Sequence, residues 1–535
     1  MNMCLLETRE DLLVIDAGLM FPEEEMLGID LVIPDFTYIL QNREKVRAIV
    51  LTHGHEDHTG ALPFLLRELP VPVYGTLLSL GLVEEKLKEF GLQGQIDLRR
   101  IRPREAIELS SLRLDFIRVA HSIPDGVAIA IHTPLGLVLH AGDFKFDQTP
   151  VDGELTDYHK LAELGDQGVL VLLSDSTNAL REGFTPSERE VGSTFKDIFR
   201  VAQRRIIVAC FASNIHRIQQ VLDVAEKLGK KVAINGKSMV ANVRIAAELG
   251  YLRVPEGVLV RLDELRGLPP ERGVIVTTGS QGEPLSAIAR IAVGEHKQIQ
   301  IQKGDMVIFS ARVIPGNEKS IARAINQLIK RGAEVITEEV ARIHVSGHPS
   351  QEELKLMLNL VRPRFFVPIH GEYRHLHFHA RMAQRVMIPK ENIILAENGD
   401  VLEFTPNSGK IVGHVSAGRV FVDGKGVGDV GDTVLRDRQH LAQDGMVIVV
   451  LGIDKQRGEV IAGPEIISRG FVYVESSAAL FEEARKLVLE VLQGLSVEEK
   501  ADWSLIKQRI RAILRKFLYK TMERRPMILP VIIEI

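Results

Sequence analysis

Residues 53–58 read His-Gly-His-Glu-Asp-His and place three imidazoles and a carboxylate on the ligand-bearing positions of a six-residue run. Imidazole nitrogen and carboxylate oxygen are the donors that zinc-like cations take up. In an extended loop, side chains two apart leave on the same side, so His53 and His55 can grip one cation. Asp57 and His58, rotated into the first turn of a following helix, face another direction and suit a second cation. The other members of such a site must come from elsewhere, and several later segments offer them. His121 opens His-Ser-Ile-Pro-Asp, Asp143 ends Ala-Gly-Asp as a candidate bridging ligand, and Asp175 lies in Ser-Asp-Ser-Thr-Asn. Residues 344–348 read His-Val-Ser-Gly-His just before a predicted helix, where backbone amides, two imidazoles and a serine suit a phosphate. His370 opens His-Gly-Glu. A histidine-rich surface loop would not need this order of donors; HxHxDH behind an apolar run is a two-metal hydrolase signature.

These residues recur at the ends of predicted strands. Residues 48–51 are an apolar run before the cluster, and Ala61, Leu62, Leu65, Leu66 and Leu69 follow it at helical spacing. A hairpin over 3–6 and 12–15 ends at Asp16, which either orients the metal loop or simply ends its strand. A strand at 71–74 and a helix at 77–90 precede a strand at 112–119 that delivers His121. A hairpin over 127–132 and 137–140 delivers Asp143, with His140 read as packing or as support for the ligands. Runs at 169–173 and 365–369 deliver Asp175 and His370, a pattern by which sheets assemble active sites. From about 188 the texture changes to alternating strands (206–211, 231–235, 274–278, 306–310, 334–337) and helices (such as 215–228 and 319–331), a separate parallel α/β domain. A helix at 351–360 follows residues 344–348. His375, His377 and His379 are expected on the solvated face of a helix. Residues 405–445 read as a glycine-rich linker with some strand. A last unit follows, with strands at 446–453, around 471–474 and at 528–535, and helices at 478–492 and 503–522. The basic residues Arg509, Arg511, Arg515, Lys516, Lys520, Arg524 and Arg525 read by default as a solvated face, an RNA- or subunit-facing surface being the alternative.

A chain of 535 residues is too long for one ordinary core, so two or three domains are expected. Its net charge of −5 excludes a whole-chain basic field, and any nucleic-acid contact must come from a local groove. Cys4 and Cys210 both lie in apolar runs, which fits core positions in a reducing cytosol. No segment reaches the length of a membrane span, and the N-terminus is not a signal peptide, so a cytoplasmic protein is expected. Asn235-Gly236-Lys237-Ser238 lacks the earlier glycine of a phosphate loop, and the GxGxxG at 426–431 lies in a charged, glycine-rich stretch, so no nucleotide cofactor is expected.

HxHxDH with His121, Asp143 and His370 resembles the metallo-β-lactamase superfamily. The inserted α/β domain between SDSTN and HVSGH resembles its β-CASP branch, which acts on nucleic acids. DAGLMFPEEEMLGIDLVIPD, LTHGHEDHTGALP, HSIPD, GDFKFD, SDSTNA, HVSGHPSQEEL and PIHGEY together resemble the ribonuclease J family over nearly the entire chain. The resemblance implies an α/β fold: a metallo-β-lactamase αββα sandwich (1–187 and 342–404), an inserted β-CASP parallel α/β domain (188–341), a linker (405–445) and a small α+β C-terminal domain (446–535). It implies two Zn2+ ions, with Mn2+ or Mg2+ as alternatives. His53, His55 and His121 would bind one ion, Asp57, His58 and His370 the other, and Asp143 would bridge. Residues His344, Val345, Ser346, Gly347 and His348 would hold phosphate, with His348 as general acid and Asp175 and Asp57 completing the catalytic set. A structural Ca2+ at Gly28, Asp30 and Asp423 is a further implication. The family pattern begins with a strand and turn similar to GGLGEIGKN ahead of Asn2-Met3; its absence leads to the expectation of a misassigned start or an impaired protein.

The function implied is hydrolysis of RNA phosphodiesters, 5′→3′ from a 5′-monophosphate and also internally, in RNA maturation (including rRNA processing) and mRNA decay. The expected partners are single-stranded RNA, a homodimer or homotetramer, and an RNA-degradation complex, with no membrane. Three alternatives stand beside it: a small-molecule hydrolase on the same metals, a DNA-directed nuclease, and a non-catalytic RNA-binding subunit.

Overall fold

A computed structural model describes residues 1–535 apart from 24, 284–285, 315, 425, 455–458, 473–476, 497–498 and 501. The chain forms two compact units, Met1–Phe21 with Val32–Val420, and Pro22–Leu31 with Phe421–Ile535.

In the first unit, strand alternation builds a four-layer sandwich. One sheet runs Cys4–Glu7, Leu12–Ile15, Val46–Val50, Val73–Gly75, Leu98–Arg100. The other runs Phe365–Ile369, Val169–Asp175, Gly136–His140, Val127–Thr133, Leu112–Arg118, Ala106–Leu109. Successive side chains on a strand point to opposite faces. Leu13, Ile15, Ala48 and Val50 therefore meet Leu114, Phe116, Ile129 and Ile131 between the sheets. Their neighbours Leu12, Val14 and Ile49 face outward onto Leu62, Leu65 and Val83 of covering helices. Across the second sheet, Ala128, Ala130 and Leu172 pack under Leu161, Leu354 and Leu358. Each fully buried aliphatic contributes about 1.5–3 kcal/mol, so both sheets are fixed on both faces and their strand ends form a rigid rim. This is the αββα sandwich that the motifs imply.

The inserted domain has the strand order Lys231–Asn235, Gly273–Thr277, Ile206–Ala209, Met306–Phe309, Glu334–Ile336, with every neighbouring pair parallel. Parallel strands need crossover connections, which bury both faces of a sheet. Ile206 and Val208 accordingly pack on one side, Ile207 and Ala209 on the other. A buried cation helps to fasten the insertion. Arg217, fully buried on the helix Ile215–Lys227, donates from Nε to Glu188 at 2.8 Å and from its guanidinium to the carbonyls of Ser310 (3.0 Å) and Ile343 (2.8 Å). Glu188 and Ile343 lie where the chain leaves and rejoins the sandwich.

The second unit is a three-stranded sheet, Val460–Arg469, Met446–Ile453, Met527–Glu534, under the helices Ala478–Gln493 and Trp503–Met522. Val449, Leu451, Val488, Ile506, Ile510 and Leu514 form its core. The strand expected around 471–474 falls partly on residues outside those described, and the partner of Met446–Ile453 is Val460–Arg469 instead. Pro464 masked that strand in the sequence; it is tolerated because the strand lies at the sheet edge. Residues 405–445, expected as a linker with some strand, include the end of the hairpin Asp400–Thr405 with Ser408–His414, and the helix Asp432–Asp444. Among the described residues, no helix is long and apolar enough to cross a membrane.

Replacing Arg217 by Met leaves the Glu188 carboxylate buried without its partner. We expect a loss of about 3–5 kcal/mol in urea unfolding, and an unchanged midpoint would show that the clamp is not structural.

Candidate metal centre

Four strand ends supply the centre. His53 follows Val46–Val50, and a one-turn helix, Glu56–Thr59, carries Asp57 and His58 behind His55. His121 comes after Leu112–Arg118, and Asp143 after Gly136–His140. His370 directly follows Phe365–Ile369. Its backbone lies in the left-handed region (φ 54°), a conformation costing a non-glycine residue about 1–2 kcal/mol, and this turns the ring into the site.

Two groups of donors result. In the first, His55 Nδ1 lies 3.0 Å from His53 Nε2 and 3.2 Å from His121 Nε2. Burial, reinforced by neighbouring histidines, pushes His53 and His121 well below the ordinary imidazole range; burial takes His55 down to about 4. Three neutral imidazoles thus aim nitrogens at one point. In the second group, His58 Nε2 and His370 Nε2 each lie 3.3 Å from Asp143 Oδ2 and 3.5 Å from Asp57 Oδ2. The same Asp143 oxygen is 3.8 Å from both His53 Nε2 and His121 Nε2, so it stands between the groups. Burial opposes charge on His370, yet Asp143 and then Asp57 raise it to about 9. His58 is likewise raised against burial, chiefly by Asp143 and Asp57. The carboxylates therefore draw protons onto two rings, and among the described residues His370 Nε2 has no well-aligned hydrogen-bond partner. Cations would replace those protons and satisfy that nitrogen. The residues fit a pair of metal ions.

The ring nitrogens facing away from the cations are mostly engaged, which sets each ligand's orientation and tautomer. His58 Nδ1 pairs with Asp16 Oδ2 at 2.7 Å, and Asp16 also accepts from Thr52 N (2.8 Å) and Oγ1 (2.7 Å). Of the two readings of Asp16, the orienting one is what the geometry shows. His53 Nδ1 meets Thr52 Oγ1 at 3.0 Å, His121 Nδ1 donates to the Gly347 carbonyl at 2.7 Å, and His370 Nδ1 meets Thr177 Oγ1 at 2.7 Å. Only glycine fits at 347, because a Cβ there would come within 2.7 Å of the His121 ring.

His348 Nδ1 is 2.7 Å from Asp175 Oδ2 and 3.9 Å from Asp143 Oδ2. Burial disfavours its charge, but Asp175 outweighs burial and raises it above the ordinary range. Asp175 is itself buried and accepts from Thr177 N (2.9 Å) and Oγ1 (2.7 Å). His344 is held neutral by burial and by Arg217, Arg312, Lys145 and Arg181 around it. The amides of the helix that follows residues 344–348 have partners within the protein. In Gln351–Val361 the Gln351 amide donates to Arg181 O and the Glu352 amide to Gly183 O, while Ser350 and Glu353 close a capping box. Those donors are already used.

Several functional positions escaped the sequence reading. Asn2 Nδ2 donates to Asp57 O and Oδ2, both at 3.1 Å, and lies 3.0 Å from His58 Nε2. Arg181 and Arg312 bring positive charge to the 344–348 loop, Arg312 reaching Asn178 Oδ1 at 3.3 Å. His379, expected on a solvated face, is buried with Nδ1 3.0 Å from Ser176 Oγ; the lone apolar stripe of its helix is widened by that ring. His375 stays near the surface and accepts from the Glu372 amide at 3.1 Å. Gly28, Asp30 and Asp423 all lie in the second unit. There Asp423 Oδ2 pairs with Arg438 at 2.5 Å, the same guanidinium donates to Leu27 O at 2.9 Å, and Asp30 accepts from Gly424 N at 2.8 Å. Arg438 thus places a positive charge beside the residues expected to bind calcium.

Comparison with known proteins agrees with this geometry. The chain matches the metallo-beta-lactamase superfamily over residues 2–200, the ribonuclease J beta-CASP domain over 203–328, the Zn-dependent metallo-hydrolase RNA specificity domain over 332–394 and the ribonuclease J C-terminal domain over 433–535. It is 45% identical over 534 residues to ribonuclease J2 of Bacillus subtilis, covering 100% of this chain and 96% of that protein. It is 44% identical to ribonuclease J 1 of Streptococcus pyogenes (99% and 94% covered) and 45% identical to ribonuclease J of Thermus thermophilus (100% and 93%). Among solved structures, a protein of unknown function from Enterococcus faecalis aligns with a TM-score of 0.52 at 14% identity, covering 74% of this chain and 94% of that one, a likeness of fold alone.

The Asn2 contacts carry a prediction. Asn2→Ala frees the Asp57 carboxylate, so affinity for the cation at Asp57, His58 and His370 should fall about 10–100-fold. The cation at His53, His55 and His121 should be retained. Titration against a competing chelator checks this, and unchanged affinity at both sites would refute it.

Proposed function

The chain belongs to the ribonuclease J family, and from that premise we propose how its first unit works as a metal-dependent ribonuclease. His53, His55 and His121 would hold one Zn2+ ion, with Mn2+ or Mg2+ as alternatives, Asp57, His58 and His370 would hold a second, and Asp143 lies within reach of both groups. A cation pair supplies electrophilic assistance to the phosphate and a more acidic attacking water. The chain's own residues do the rest. The observation that carries the reading is a single oxygen, Asp143 Oδ2, standing 3.3 Å from His58 and His370, 3.8 Å from His53 and His121, and 3.9 Å from His348 Nδ1.

His348 is the proton donor. Asp175 keeps its Nδ1 protonated and its ring oriented, so the ring faces the reacting phosphate as an acid for the departing 3′ oxygen. Residues 344–348, with Arg181 and Arg312 beside them, hold substrate phosphate. His344, neutral among those cations, contributes a hydrogen bond rather than a charge. Capture of a 5′-monophosphate there sets the first cut and gives 5′→3′ exonuclease action, while a strand lying through the site is cut internally. The family membership further supports a cytoplasmic role in RNA maturation and mRNA decay, as a homodimer or homotetramer. A small-molecule hydrolase would leave His348, Asp175 and the basic loop surroundings without a task.

The test is 5′-labelled, monophosphorylated RNA incubated with Mn2+ or Mg2+, with release of labelled mononucleotide expected. His348→Ala should lower turnover about 10²–10⁴-fold while the bound-metal content stays as in the parent protein. Full turnover in that variant would remove His348 from the chemistry, and hydrolysis of carboxylic esters but not of RNA would remove the ribonuclease reading.

A further inference from the structure

The helix Trp503–Met522 is amphipathic, and its two sides are chemically opposite. Ile506, Ile510, Leu514 and Leu518 recur every four residues and are buried in the core of the second unit. The exposed surface carries Arg509, Arg511, Arg515, Lys516 and Lys520. Residues 503–525 hold eight basic side chains and one acid, Glu523, in a chain whose net charge is −5. Lys520 lies in the last turn, where the helix dipole favours cations, but that benefit does not reach Arg509 or Arg511 in mid-helix. Arg511 with Arg515, and Lys516 with Lys520, are like-charge pairs four residues apart, each costing a few tenths of a kcal/mol, roughly 0.2–0.5. Among the described residues no carboxylate comes within ion-pair distance of these five side chains, although acids are abundant in the unit. Glu482 on the adjacent helix pairs with its own Arg485 instead. A second feature points to the kind of partner. Tyr519 is 46% exposed among these cations, and the Arg525 guanidinium covers its ring at 4.5 Å from the centroid. Uncompensated cations interleaved with an exposed aromatic ring form the surface that tracks a single-stranded nucleic-acid backbone and stacks its bases.

We propose that this face is a docking surface for single-stranded RNA additional to the metal centre, adding contacts for longer strands. The inference rests on the ribonuclease reading for the identity of the strand, but not for the existence of the surface. A protein partner would need carboxylates to match the face and an apolar patch at its middle, and the exposed ridge offers one aromatic ring rather than a patch.

The experiment uses the full chain and the variant Arg511→Ala/Arg515→Ala/Lys516→Ala/Lys520→Ala, whose substituted side chains are exposed and leave the core intact. Fluorescence anisotropy measures binding of a long and a short cleavage-resistant single-stranded RNA across a salt series. The long RNA should bind at least tenfold more weakly to the variant, with a log–log salt slope shallower by roughly 0.7 per backbone contact removed. Short-RNA binding and short-RNA turnover should be unchanged. Equal affinity and slope for the long RNA would overturn the proposal. So would loss of self-association with long-RNA binding preserved, which would assign the face to a second copy of the chain. Failure to cleave any RNA would overturn the preceding reading alone, because the binding measurement does not depend on cleavage.

Discussion

His55 Nδ1 faces His53 Nε2 at 3.0 Å and His121 Nε2 at 3.2 Å in a largely buried site, and one proton on His55 would have to be divided between two lone pairs. A shared proton can join one pair, but the third lone pair is left against another. The low local dielectric makes each unmatched group more costly than it would be at the surface. Beside them, two carboxylates can be neutralised only by protonating buried imidazoles. The site is an arrangement of donors that becomes satisfied when cations enter. Everything around it can be read as structure needed to keep repelling groups in place.

That holding is done by parts that do not touch a cation. Sheet cores buried on both faces stop the strand ends from drifting apart, and hydrogen bonds to outward ring nitrogens stop the imidazoles from rotating away. Asp16 is the clearest case, since one carboxylate fixes both the Thr52 backbone and the His58 ring. The insertion is bound into the same frame. His121 is oriented by the Gly347 carbonyl, which belongs to the loop where the inserted domain rejoins the sandwich, and Arg217 ties that return to the departure at Glu188. A displacement of the insertion would therefore be felt at a candidate ligand, through one hydrogen bond.

Residues with unusual chemistry at regular element ends were legible from sequence: HxHxDH, His121, Asp143 and His370 are all polar residues that stop an apolar run, and alternation identified the strands that carry them. Asp16 could be read only halfway, because an acid at a strand end looks the same whether or not a histidine comes to meet it. Asn2 gave no signal at all, being a polar residue before a short strand whose partner, Asp57, is 55 residues away. Arg181 precedes the inserted domain in sequence and Arg312 lies within it, and their convergence on residues 344–348 is a product of the fold. His379 failed for another reason: its helix repeats histidine every second residue, which looks solvated, whereas a helical period buries one of the three. At the helix after residues 344–348, a sequence shows that a helix begins but not that the Arg181 and Gly183 carbonyls take the Gln351 and Glu352 amides.

The charge balance of the filled site also bears on what it can accept. Two divalent cations would bring four positive charges. The ligand carboxylates Asp57 and Asp143 return two, and the neutral imidazoles none. Asp16 and Asp175 lie one contact further out, where they are already engaged by His58 and His348. The remaining excess is uncovered on the side where Asp57 is 43% exposed, and the nearby 344–348 loop adds Arg181, Arg312 and Lys145 to it. A neutral ester entering such a site would leave that excess unmatched, and its transition state would add a single negative charge. A phosphodiester arrives already carrying one negative charge, so the mismatch is reduced on binding. On this count a charged phosphodiester offsets part of the excess that a neutral ester would leave, before any contact with a base or sugar is considered.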